Sequence, residues 1–172
     1  ANKKGEANFE KVAAGEYVVQ SSMKGYFEAS SDPITVTDTE KDISVTVLMI
    51  DAKVFKAKED EANTLLTNSK FKEAAVIYKE MLKLAPNEAV VWGNLAKAEA
   101  GMMDHQGALE AVTKAAELNP KEFGSLKVQI ATWVNFDDGL HALQSKDYPK
   151  AIKLLTEALK AQPENSDGYY NL

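Results

Sequence analysis

The sequence predicts a two-part molecule, in which a small antiparallel β unit is followed by an all-helical solenoid of about three helix pairs and the start of a fourth. Three observations carry this. Apolar residues alternate at every second position up to about Ile50, they recur at three- and four-residue steps from Asp51 onward, and the helical part repeats itself at a fixed interval. The boundary is placed between residues 50 and 51, with no Gly/Ser/Pro-rich linker at the change of period.

Within the first fifty residues the clearest strand is Ile43 to Met49, where Ile43, Val45, Val47 and Met49 fall on one face. Gly15 to Gln20 reads as another, and Gly25 to Glu28 and Ile34 to Val36 are shorter candidates bounded by turn-forming residues. From Asp51 the apolar set Leu65, Leu66, Ala74, Ile77, Tyr78, Met81 and Leu82 has helical spacing.

The helical part echoes itself. Leu84-Ala85-Pro86-Asn87 returns as Leu118-Asn119-Pro120-Lys121, with prolines 34 residues apart. Ala62, Phe71, Ala74, Tyr78 and Pro86 mark one unit, and Trp92, Leu95, Ala96, Ala108, Ala115 and Pro120 the next. This pattern resembles the tetratricopeptide-repeat family, whose helix pairs pack through small residues and whose bulky residues fill the space between them. A third unit carries Gly139, Tyr148, Ala151, Leu155, Ala158 and Pro163, but Pro163 follows Pro120 by 43 residues, so nine residues are inserted between Pro120 and Gly139. They are expected to lengthen the first helix of that unit or to add a turn. Proline is expected to end each second helix. The repeats span about 55–88, 89–122 and 123–165, and residues 166–172 open a fourth whose Tyr169, Tyr170 and Leu172 need further chain or a partner to cover them. The chain is therefore expected to be part of a longer protein.

The N-terminal part has a resemblance of its own. Phe9 to Val19 with the turn Ala14-Gly15-Glu16-Tyr17, then Gly25-Tyr26 and the strand at Ile43, looks like the second half of a carboxypeptidase-regulatory-like β-sandwich, or the related PEGA type. The resemblance implies a β-sandwich-like unit lacking its first strands, and a periplasmic, cell-envelope or secreted setting, with the cytoplasm as the alternative.

Composition narrows the function. Twenty basic against twenty-six acidic residues give a net charge of −6, which opposes binding to nucleic acid or anionic lipid. All the basic residues are lysine, so no guanidinium fork is present for bidentate phosphate recognition, and cysteine is absent. No stretch is long and apolar enough for a membrane helix. Nucleophile motifs and phosphate-cradling glycine loops do not occur, so no catalytic residue, cofactor or metal is expected. His105 and His141 stand 36 residues apart without a metal-pair spacing and read as surface histidines; Asp137-Asp138 reads as a helical or turn carboxylate pair.

What remains is recognition. In the repeat family that this part resembles, the first helix of each pair lines a concave groove, and alignment places Lys56, Glu59, Asn63 and Leu66, then Gly93, Asn94, Lys97 and Gly101, then Phe136, Leu140 and Leu143 on that face. Asn63 and Asn94 match two positions of the carboxylate-clamp subclass, but Glu59 and Asp137 stand where its basic residues belong, which argues against that partner. The expected function is a non-catalytic interaction or scaffold module for a protein or peptide. The alternatives are a subunit of a self-assembling polymer and an accessory domain of a larger envelope enzyme.

Overall fold

A computed structural model describes residues 7–27, 29–37 and 42–161. By its contacts the chain divides into two units, Ala1–Lys56 and Ala57–Leu172.

In the first unit, β1 (Gly15–Tyr17) pairs antiparallel with β4 (Ile34–Val36), Tyr17 opposite Ile34, and β2 (Gln20–Ser21) pairs with β3 (Ala29–Ser30). The small antiparallel β unit is thus present, as two two-stranded ladders. The strand expected at Ile43 to Met49 is not formed among the described residues. Its period-two pattern is real, but a strand needs a neighbour to take its backbone groups. Here the pairing is confined to the end of the segment, where Phe27 N donates to Ile50 O at 2.9 Å and Tyr26 bridges to Asp51. Asp51 then caps the first helix, its Oδ1 accepting from the backbone of Lys53 and Val54 at 2.8 and 3.3 Å. Phe55, one turn on, is buried and meets the Phe27 ring at 4.7 Å.

Six helices follow: α1 (Ala52–Thr67), α2 (Phe71–Leu84), α3 (Ala89–Gly101), α4 (His105–Leu118), α5 (Pro120–Gln144) and α6 (Tyr148–Ala161). α3 packs on α4 and α5 on α6 as helix pairs, α2 packs on α3 and α4 on α5 to join successive pairs, and α1 meets α2 through Asn63 and Tyr78 and through Lys58 and Glu80. Most of the small and apolar residues that signal the repeat are core: Ala62, Ala74, Tyr78, Ala96, Ala108, Ala115 and Leu155 are fully buried. Tyr148 departs from the pattern and is exposed. The nine inserted residues lie in α5, which has 25 residues against 13 in α3. The segment read as the start of a fourth unit lies outside the described residues.

Each pair is closed by the same turn. Ser69, Met103 and Lys146 sit in the left-handed region at φ 58°, 61° and 61°. The amide of each donates three residues back, and the next amide five residues back, as in Lys146 N to Leu143 O and Asp147 N to Ala142 O. This is the Schellman arrangement, which satisfies carbonyls that a helix end leaves open. The turns recur at the same 34- and 43-residue intervals as the prolines.

Proline does not end every second helix. Pro86 follows α2, but Pro120 is the first residue of α5, where its fixed φ suits a helix start and its missing N–H costs nothing. Asn119 both ends α4 and caps α5, its Oδ1 accepting from Glu122 N at 3.3 Å.

Candidate groove on the first helices of the pairs

Three of the residues expected on the groove are joined in the structure. Asn63 on α1 accepts at Oδ1 from the Tyr78 hydroxyl at 2.6 Å and from Asn94 Nδ2 of α3 at 3.0 Å. Asn94 Oδ1 in turn accepts from Lys97 Nζ at 3.3 Å. The line runs from a fully buried phenol, through two half-buried amides, to an exposed ammonium.

The network rests on Tyr78. Its burial, and secondarily the negative charge of Glu59, push the phenol pKa up to about 12. The hydroxyl therefore stays protonated and donates to Asn63. Such a bond contributes about 1 kcal/mol net, and Asn63 would be costly to desolvate without it. Beside this line, Asp60, Asn63, Thr64 and Thr67 of α1, with Asn68 just after it, border an open cleft of about 380 Å³.

The other expected positions differ in burial. Leu66 is half-buried on α1, and Phe136, Leu140 and Leu143 are half-buried on one face of α5 at four- and three-residue steps. Lys56 is exposed in the first unit, and Glu59 is half-buried. Gly93 is not an outward groove position. It is buried, and a Cβ there would lie 2.3 Å from the Phe123 ring of α5, so the missing side chain admits the next pair. Gly101 is exposed, but a Cβ on it would meet Phe71 of α2 at 2.6 Å.

Two features were not anticipated from the sequence. One is a cleft of about 600 Å³ among α2, α3 and α4, with Lys79, Lys83, Trp92, Leu95 and Glu99 on its wall. Glu99 is buried, yet its carboxylate meets Lys79 at 2.9 Å, and that hydrogen bond holds the Lys79 ammonium above the usual lysine range. The pair neutralises what would otherwise be a costly buried charge. Only contacts 20 residues apart reveal it, which no local spacing rule detects.

The other concerns His105, which is not a surface residue. Its side chain is 18% exposed, packed edge-on against Trp133 at 4.7 Å, and it lies between Asp137 and Asp138 of α5. His141 is exposed, as expected for a surface histidine.

Stacked helix pairs with a recurring turn give the second unit a tetratricopeptide-repeat-like fold. A family model described as tetratricopeptide repeat matches residues 136–172. Similar solved structures include MamA 41-end from Desulfovibrio magneticus RS-1, 20% identical with a TM-score of 0.40, where the match covers 65% of this chain and 58% of that one. The C-terminal part of a TPR repeat-containing protein from Cytophaga hutchinsonii is 19% identical with a TM-score of 0.45, covering 69% and 46%. The first TPR of Spaghetti, bound to an HSP90 peptide, is 19% identical with a TM-score of 0.39, covering 71% and 90%. The chain thus spans 58% of the length of MamA 41-end, among the first of the similar structures. No curated protein matches the chain. Among the described residues no helix is long and apolar enough to cross a membrane.

Proposed function

We propose that the helical unit is a non-catalytic interaction module that takes a peptide or short helix of a partner protein along the first helices of its pairs. The observation that carries this reading is the Asn63–Asn94–Lys97 line, which spans two successive pairs and ends in an exposed ammonium. Its outward groups are mainly N–H donors, complementary to the carbonyls and carboxylates of a peptide. Leu66 of α1, and Phe136, Leu140 and Leu143 of α5, supply apolar contact in this reading. The resemblance of the N-terminal part to regulatory-like β domains supports a cell-envelope or secreted setting.

The test is a peptide-display selection against the chain, followed by fluorescence anisotropy on the selected peptide. Asn94→Ala and Lys97→Ala should each weaken binding about tenfold, the loss of one hydrogen bond worth about 1.4 kcal/mol. Selected peptides that bind both variants as tightly as the parent would place recognition elsewhere.

A second reading, a self-assembling subunit, draws on the first unit. Phe9, Val18, Met23 and Leu48 are exposed there, and the described strands are two or three residues long. Such surface favours a cover from another chain. Sedimentation across a hundredfold concentration range decides it, because a constant monomer mass would remove the polymer.

A further inference from the structure

His105 begins α4, and three of its neighbours come from one stretch of α5. Its Nδ1 lies 2.8 Å from Asp138 Oδ1 in a well-formed hydrogen bond. A carboxylate at neutral pH can only accept, so the proton of that bond is on Nδ1. A neutral imidazole then presents a bare lone pair at Nε2. That atom lies 3.2 Å from Asp137 Oδ2, yet the pair makes no hydrogen bond, and both atoms are shielded from solvent with no hydrogen-bond partner. Two buried atoms that can each accept, held 3.2 Å apart without hydrogen-bond geometry, are satisfied only by a cation shared between them, a proton or a metal ion set off the line that joins them. The exposed His141, one turn after Asp137, brings its Nδ1 to 3.7 Å from the same Oδ2.

We propose that His105 Nε2, Asp137 Oδ2 and His141 bind a first-row divalent cation of the zinc type, with Asp138 as the positioning residue that holds the His105 ring. Two ligands bonded at about 2.05 Å to a tetrahedral centre lie about 3.4 Å apart, and the two observed separations from Oδ2 bracket that value. His141 is exposed and can rotate to complete the set; a water fills the fourth position. A donor set of two imidazoles and one carboxylate selects zinc, cobalt or nickel over magnesium and calcium, which require oxygen. A histidine ligand whose second nitrogen donates to a carboxylate is the usual outer support of such a centre, and Asp138 already supplies it. Bound metal would tie the start of α4 to the far half of the lengthened α5. This site is independent of the groove reading, since it shares no residue with the Asn63–Asn94–Lys97 line.

The test uses the untagged full chain with Co²⁺, whose visible absorption reports nitrogen and oxygen ligation and whose proximity quenches Trp133, the aromatic neighbour of His105. One Co²⁺ per chain should bind, be displaced by Zn²⁺, ignore Mg²⁺, and raise the Tm. Asp138→Ala should weaken binding roughly 10–100-fold, and His105→Ala and near-isosteric Asp137→Asn by more than that. Absence of Co²⁺ binding to the folded chain, or undiminished binding in both ligand variants, would overturn the site. Nitrogen NMR of the wild-type His105 ring decides the matter if the variants do not fold. Zn²⁺ should shift Nε2 and leave the Nδ1 proton in place, whereas an Nε2 that stays protonated at pH 7 under saturating Zn²⁺ refutes the proposal.

Discussion

At the residue scale the clearest consequence belongs to Tyr78. Burial raises its phenol pKa from 10.0 to about 12, so between those values the folded chain keeps a proton that the unfolded chain has released. Stability from this group is complete below pH 10 and is lost as pH rises toward 12, by roughly 2–3 kcal/mol. Tyr78→Phe should cost about 1 kcal/mol at neutral pH through the lost bond to Asn63, and should remove that alkaline loss. Urea unfolding of both proteins from pH 9 to 12 measures the difference, and a gap that stayed constant across the range would show that the phenol is not protected. Tyr78 and Asn63 were both visible in the sequence, Tyr78 as a core position from helical spacing and Asn63 as a groove position from the alignment to the repeat family that this part resembles. Their partnership was not. The same holds for His105, whose neighbours Asp137 and Asp138 are 32 and 33 residues away, and for Gly93, which the family alignment placed outward and Phe123 covers.

At the scale of elements, the helix periods and the repeat interval were legible because small and bulky residues at fixed offsets are what helix pairs need to close-pack. The turns inside each pair were not, since the left-handed positions are held by Ser69, Met103 and Lys146 rather than by glycine. A left-handed non-glycine residue costs about 1–2 kcal/mol, and glycine gives back about 0.5–1 through its freedom in the unfolded chain. Lys146→Gly should therefore stabilise the protein by about 0.5–1 kcal/mol, read as a shift of the urea midpoint at constant slope. A lower midpoint would mean that the exposed Lys146 side chain makes a contact worth more than the strain. The strand read at Ile43 to Met49 failed for a complementary reason. Alternation identifies a face, but hydrogen bonding across a ladder requires a partner that local sequence does not specify.

On the scale of the whole molecule the two units differ in what holds them. The helical unit buries a continuous set of residues from Ala62 to Leu159, whereas Phe55 is the one buried hydrophobic side chain among the described residues before Lys56. Strands of two or three residues in two-stranded ladders are marginal in water, since few bonds must offset the backbone entropy of ordering them, about 1–2 kcal/mol per residue. Amide exchange should separate the units accordingly. Amides of β1 to β4 should exchange through local opening within seconds to minutes, while the central turns of α3, α4 and α5 should approach the rate set by global unfolding. Hydrogen exchange read by mass spectrometry at several protein concentrations makes the comparison. Strand amides as protected as those of α3 in a dilute monomer would contradict the burial argument, while protection that grows with concentration would identify a second copy as the cover and favour the self-assembling reading over peptide recognition alone.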